Sequence, residues 1–156
     1  MKKLLFTTML MAITISAAFA QSSNDELEII QSLFGMEKKA AVADFLQLEV
    51  DASESFWQVY DSYEVERKAL GKKRVDLLNK YADQYLELDD EKTEALMKET
   101  IALSKSYEKL IVSYYKKVKK SNGVKTATQF YQIELFLKSY IRTVIFSSLP
   151  FVGEFE

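Results

Sequence analysis

Proline occurs once in this chain, at position 150, and glycine only at positions 35, 71, 123 and 153. Proline removes a backbone donor and glycine carries the largest conformational entropy, so these residues usually mark the ends of regular structure. With breakers so sparse, the chain has few places to turn. Long helices joined by short links are the natural outcome.

The spacing of apolar residues agrees. A first helix is expected from about Asn24 to Gln47, capped by Ser23 or Asn24 and carrying Leu27, Ile30, Phe34, Ala41, Phe45 and Leu48 at a loose helical period. Gly35 is expected to kink or split it. A second helix opens at Asp51, where Asp51 and Glu54 form an Asp-x-x-Glu capping box. Phe56, Tyr60, Tyr63, Arg67, Leu70, Arg74, Leu77, Tyr81 and then Gln84 or Tyr85 follow at alternating spacings of four and three. That is the seam of a helical hairpin, with arginine interrupting the apolar row twice. Gly71 falls inside this helix, where it implies a close backbone approach or a bend.

Asp89 or Asp90 caps a third helix whose seam is Leu96, Thr100, Leu103, Tyr107, Leu110, Tyr114 and Val118. Asn122-Gly123 stops it. A fourth helix opens at a second box, Thr126-x-x-Gln129, and its stripe of Phe130, Ile133, Leu137, Ile141, Val144 and Ser148 is flanked by enough Tyr, Leu and Phe to be apolar nearly all round. Pro150 closes it. Thirty-five residues at 1.5 Å each make a helix of roughly 50 Å, longer than a compact bundle of this chain length needs. The expected fold class is all-α: an elongated bundle of about four helices built on a long antiparallel helical hairpin.

Residues 1–20 read differently. Lys2 and Lys3 precede an apolar run over 4–18, and Ala18-Phe19-Ala20 matches the small-x-small pattern of signal-peptidase cleavage. A cleaved signal peptide is expected, with Gln21 as the mature N-terminus and residues 21–156 as one all-helical domain. An uncleaved anchor is the competing reading. Loss of Lys2 and Lys3 moves the net charge from −2 to −4, which argues against a dedicated nucleic-acid binder. No second stretch suits a membrane span.

Cysteine and histidine are both absent. Zinc sites of the usual kind, Ser-His-Asp triads and Cys-His dyads are thereby excluded, and no phosphate loop replaces them. The acidic residues form caps and i,i+4 pairs such as Glu94–Lys98 rather than an acid/base couple. A non-enzyme without cofactor or metal is expected.

"VDASE" at 50–54 and "KTATQ" at 125–129 resemble degenerate copies of the LTxxQ signature of the Spy/CpxP family of periplasmic stress proteins. The first has Val50-Asp51 in place of Leu-Thr and Glu54 for Gln; the second has Lys125 for Leu. The wider pattern, an "FWQVYDSY" helix and a terminal "FYQIE…P" helix, is similar to divergent members over residues 27 to 152. The resemblance implies a periplasmic, ATP-independent chaperone that holds unfolded proteins under envelope stress. The alternative is a stress-sensing regulator that binds an envelope sensor or anti-sigma partner. It also implies a homodimer forming a curved helical cradle.

Phe56, Tyr60 and Tyr63 share the hairpin seam, so core packing is their first expectation, and Trp57, about 100° round the helix, is expected against another helix. Contact with a client or partner is the second. Nine tyrosines supply rigid surfaces that tolerate both water and apolar partners, yet they also suit the half-buried edges of a thin bundle. The lysines at 116–120 can attract an acidic partner or simply complement a helix C-terminus. The candidates for client or partner contact are Trp57, Tyr60, Tyr63, Tyr107, Tyr114, Lys116, Lys117, Lys120 and Tyr131.

Overall fold

A computed structural model describes residues 37–154 of the chain and, within them, every side chain but that of Asp51. The expected signal peptide, the caps Ser23 and Asn24, and the Gly35 break lie outside the described residues. The chain divides into two compact units, Met1–Ala41 and Val42–Glu156. Of the first, only 37–41 are described, and they are helical.

The described residues are helical with no strand, so the all-α class is observed. Helix α1 covers 37–46, and α2 is Val50–Gln84. A short 3-10 turn, Tyr85–Glu87, leads to a long helical run, Asp90–Ser148. That run is broken at Gly123, whose φ of 84° and ψ of 175° belong to a region essentially reserved for glycine. The break separates α3 (90–122) from α4 (124–148), at the stop expected from Asn122-Gly123.

Side-chain pairs define the directions. Lys80 meets Glu99, Tyr114 meets Glu66, and Asn122 meets Ala52 and Ser55, so α3 runs antiparallel to α2. Tyr60 and Tyr63 meet Glu134 while Tyr81 meets Pro150, so α4 runs parallel to α2. Asn122 ties the end of α3 to the start of α2, its Nδ2 donating to the Ala52 carbonyl at 2.7 Å and to Ser55 Oγ at 2.9 Å. The residue that closes one helix thus clamps the opening of another.

The helix starts need correction. Glu49, in extended conformation and without a side-chain cap bond, precedes α2, so Asp51 and Glu54 lie within the first turns of the helix rather than at its start. Helix α4 resumes directly after Gly123, which places Thr126 within its first turn, buried, and Gln129 beyond it. Backbone geometry at Gly123 turns the chain without a hydroxyl cap. The Asp89 cap is present, its carboxylate accepting from the Lys92 N–H at 2.7 Å.

The core of the second unit joins Val42 and Leu46 to Phe56, Tyr60 and Tyr63 of α2, Leu110, Ile111, Tyr114 and Val118 of α3, and Ala127 and Phe130 of α4. The expected seams of α2 and α3 supply most of it. Aromatic rings dominate: Tyr63 lies edge-on to Phe130 at 5.2 Å and to Tyr114 at 5.3 Å. Such pairs add about 0.5–1.5 kcal/mol each beyond the burial of their area. The two arginines of the α2 seam are accommodated in different ways. Arg67 closes a bidentate fork on Glu64, at 2.7 and 2.9 Å, and Arg74 stacks 4.4 Å above the Tyr107 ring. Helix α2 runs unbroken through Gly71, and a methyl group there would meet only the Tyr107 hydroxyl, at an ordinary 3.7 Å. The close backbone approach expected at Gly71 is not present.

Candidate functional site

Glu134 is 3% exposed in the middle of the aromatic core. A buried carboxylate needs donors, and α2 supplies them one turn apart. The Tyr63 hydroxyl donates to Oε2 at 2.7 Å and the Tyr60 hydroxyl to Oε1 at 3.2 Å. Burial pushes both phenols well above their ordinary pKa, and the negative charges of Glu134 and Glu64 push the same way. Arg67 is raised as well: burial alone would lower it, but the Glu64 fork overcomes that. The two phenols and the carboxylate tie α2 to α4. Tyr60, Tyr63 and Glu134 are packed away from solvent, whereas Arg67 and Glu64 are only partly buried.

Four of the expected contact residues therefore belong to the interior. Tyr60, Tyr63, Tyr107 and Tyr114 are all buried, which agrees with the core packing first expected of the seam tyrosines Tyr60 and Tyr63. Tyr114 donates to Glu66 at 2.6 Å, and burial with that bond pushes its phenol up to about 12. Trp57 is half-buried, edge-on to Phe56 at 5.0 Å and to Tyr60 at 5.4 Å. Tyr131 is also half-buried, 6.0 Å from the Tyr115 ring. Lys116, Lys117 and Lys120 are exposed, with the Lys117 ammonium 3.7 Å over the Tyr114 ring. The lysines do not converge with the tyrosines on one open face.

The open apolar surface lies elsewhere. Phe136, Tyr140 and Val144 are 64, 63 and 50% exposed. Spaced at i, i+4 and i+8, they form a stripe on α4 that begins about 200° round the helix from Glu134. The same helix that buries Phe130 and Glu134 therefore presents large apolar groups to water on its other side. Its all-round apolar character was visible in the sequence; which side faces out was not. Glu134 had one signal, an acid set inside an apolar stretch, "QFYQIELFL".

Among the described residues no group of three or more acidic side chains gathers as metal ligands would, and no helix is long and apolar enough to cross a membrane. Compared with family models, with curated proteins and with solved structures, the chain matches none.

Proposed function

We propose that this chain is an exported, ATP-independent holdase that captures unfolded or misfolded proteins under envelope stress, a divergent relative of the Spy/CpxP proteins acting in the periplasm without catalysis. The observation that carries the reading is the solvent-facing stripe of Phe136, Tyr140 and Val144. Apolar area left in water is unfavourable by about 25 cal/mol per Å², so a contiguous stripe of this kind favours covering by apolar segments of another chain. Two of its members are aromatic, which suits contact with varied partners at small entropic loss. The signal-like residues 1–20 support export. The resemblance adds the finer architecture, an elongated bundle of about four helices built on a helical hairpin, and a homodimer.

The test mixes the purified chain with a chemically denatured, unrelated client and follows light scattering on dilution, without ATP. Suppression at near-stoichiometric amounts is expected, and F136S/Y140S/V144S should lose most of it while keeping its helical circular dichroism. No suppression by the folded protein would overturn the holdase reading in favour of one dedicated envelope sensor or anti-sigma partner. Full suppression by the triple variant would remove the stripe as the client surface.

A further inference from the structure

Where the later turns of α2, the first turns of α3 and the end of α4 meet, they line a half-open cavity of about 320 Å³. Its walls are mainly aliphatic, among them Leu77, Leu78, Leu96, Leu103 and Ile145. The charged residues that line it are Arg74, Lys138 and Arg142, all cationic, and no carboxylate joins them among the described residues. Arg74 rests on the Tyr107 ring and Arg142 lies 5.2 Å over the Phe146 ring, and neither has a carboxylate partner among the described residues. Lys138 reaches an acid only at 3.9 Å, on the largely exposed Glu108.

The mouth carries a strap. After α4 ends, residues 149–152 pass along the cavity and contribute to its lining. Two phenols hold that passage in place: Tyr81 donates to the Pro150 carbonyl at 2.7 Å and Tyr85 to the Phe151 carbonyl at 2.8 Å. The one acid of the tail with a described bond, Glu154, accepts from the Phe151 N–H instead of turning to the cations.

We infer that this cavity binds an unesterified fatty acid, with its acyl chain among the leucines and its carboxylate on Arg74, Lys138 and Arg142. Three features select that ligand. The aliphatic walls reward removal of a hydrocarbon chain from water. The cations, with no acid lining the same cavity, ask for an anion, and guanidinium forks match a carboxylate in geometry. The volume lies at the low end of ligand pockets, which run from about 300 to 1,000 Å³, so it suits one acyl chain and not a diacyl lipid. A neutral hydrocarbon or sterol would leave the three charges uncompensated. Phe136, Tyr140 and Val144 are not part of this lining, so the inference stands or falls independently of client capture.

The experiment titrates the delipidated full chain with cis-parinaric acid and displaces it with palmitate, palmitate methyl ester and palmitoyl-lysophosphatidylcholine. Saturable one-to-one binding is expected, with palmitate displacing the probe at least tenfold more effectively than either competitor. R142Q, at an exposed position, should weaken binding about tenfold, the scale of one charge-assisted hydrogen bond, and K138Q should weaken it further. S104W, which fills the cavity from its exposed rim, should abolish binding with helicity unchanged. Absence of saturable binding, equal displacement by the methyl ester, or unaltered affinity in S104W would each overturn the assignment. Preference for the lysophospholipid would replace the carboxylate with a phosphate-bearing head and refute the fatty acid.

Discussion

The two hydroxyls on Glu134 differ in length, and that difference predicts an order of effects. Tyr63→Phe removes a bond of 2.7 Å to a buried carboxylate, close to the optimum for a charge-assisted O–H···O contact. Its removal is expected to destabilise the protein by about 1.5–3 kcal/mol. Tyr60→Phe removes a bond of 3.2 Å, beyond that optimum, and should cost only about 0.5–1.5 kcal/mol. In a domain whose total stability is about 5–15 kcal/mol, the first loss should lower Tm by roughly 6–12 °C. Both rings stay apolar and nearly the same size, so packing is preserved and the comparison isolates the hydroxyls. Urea unfolding followed by circular dichroism at 222 nm supplies the free energies, provided the slope with denaturant is unchanged. A double-mutant cycle tests the partner. In a Glu134→Leu background the Tyr63 hydroxyl has lost this acceptor, so adding Tyr63→Phe should be neutral or stabilising. A Tyr60→Phe variant less stable than Tyr63→Phe, or a Tyr63→Phe cost undiminished in the Glu134→Leu background, would refute the reasoning.

The two helical breakers should respond oppositely. Gly71→Ala adds a methyl group where space exists and removes glycine's excess freedom in the unfolded chain, so a gain of about 0.5–1 kcal/mol is expected in the same urea assay. Gly123→Ala forces an L-residue to φ 84°, with a loss of about 1–3 kcal/mol; a silent substitution would mean that the α3–α4 break does not need a positive φ. Alkali should destabilise the fold. Tyr60, Tyr63 and Tyr114 keep their protons in the native state above the ordinary phenol value of about 10, whereas the unfolded chain releases them there. The native state then binds more protons, so stability is full below about pH 10 and falls as pH rises beyond it; for Tyr114 the loss runs from about 10 to about 12. Tyrosinate absorbance at 295 nm should show at least these three phenols titrating late, and a Tyr114→Phe variant should lose stability less steeply over that window.

The features that rest on neighbouring residues were legible in the sequence. A cap at Asp89 or Asp90, Gly123 after Asn122 and the three-four spacing along α2 and α3 act within a turn or two of the backbone, so residue type and order suffice to read them, although only the structure chose Asp89. Even there, an offset of two residues escaped: Glu49, not Asp51, precedes α2, because an extended residue can start a helix without a side-chain cap. What only the tertiary structure decided involves residues far apart in the chain. Glu134 lies 74 and 71 positions from the tyrosines that donate to it, and the cavity gathers its three cations from two helices. A tyrosine at a seam position is equally fit to bind a client or to neutralise a buried acid. Which it does depends on what the opposite helix brings within 3 Å. For Tyr63 that was a carboxylate, and the open apolar face passed to Phe136, Tyr140 and Val144 on the far side of α4.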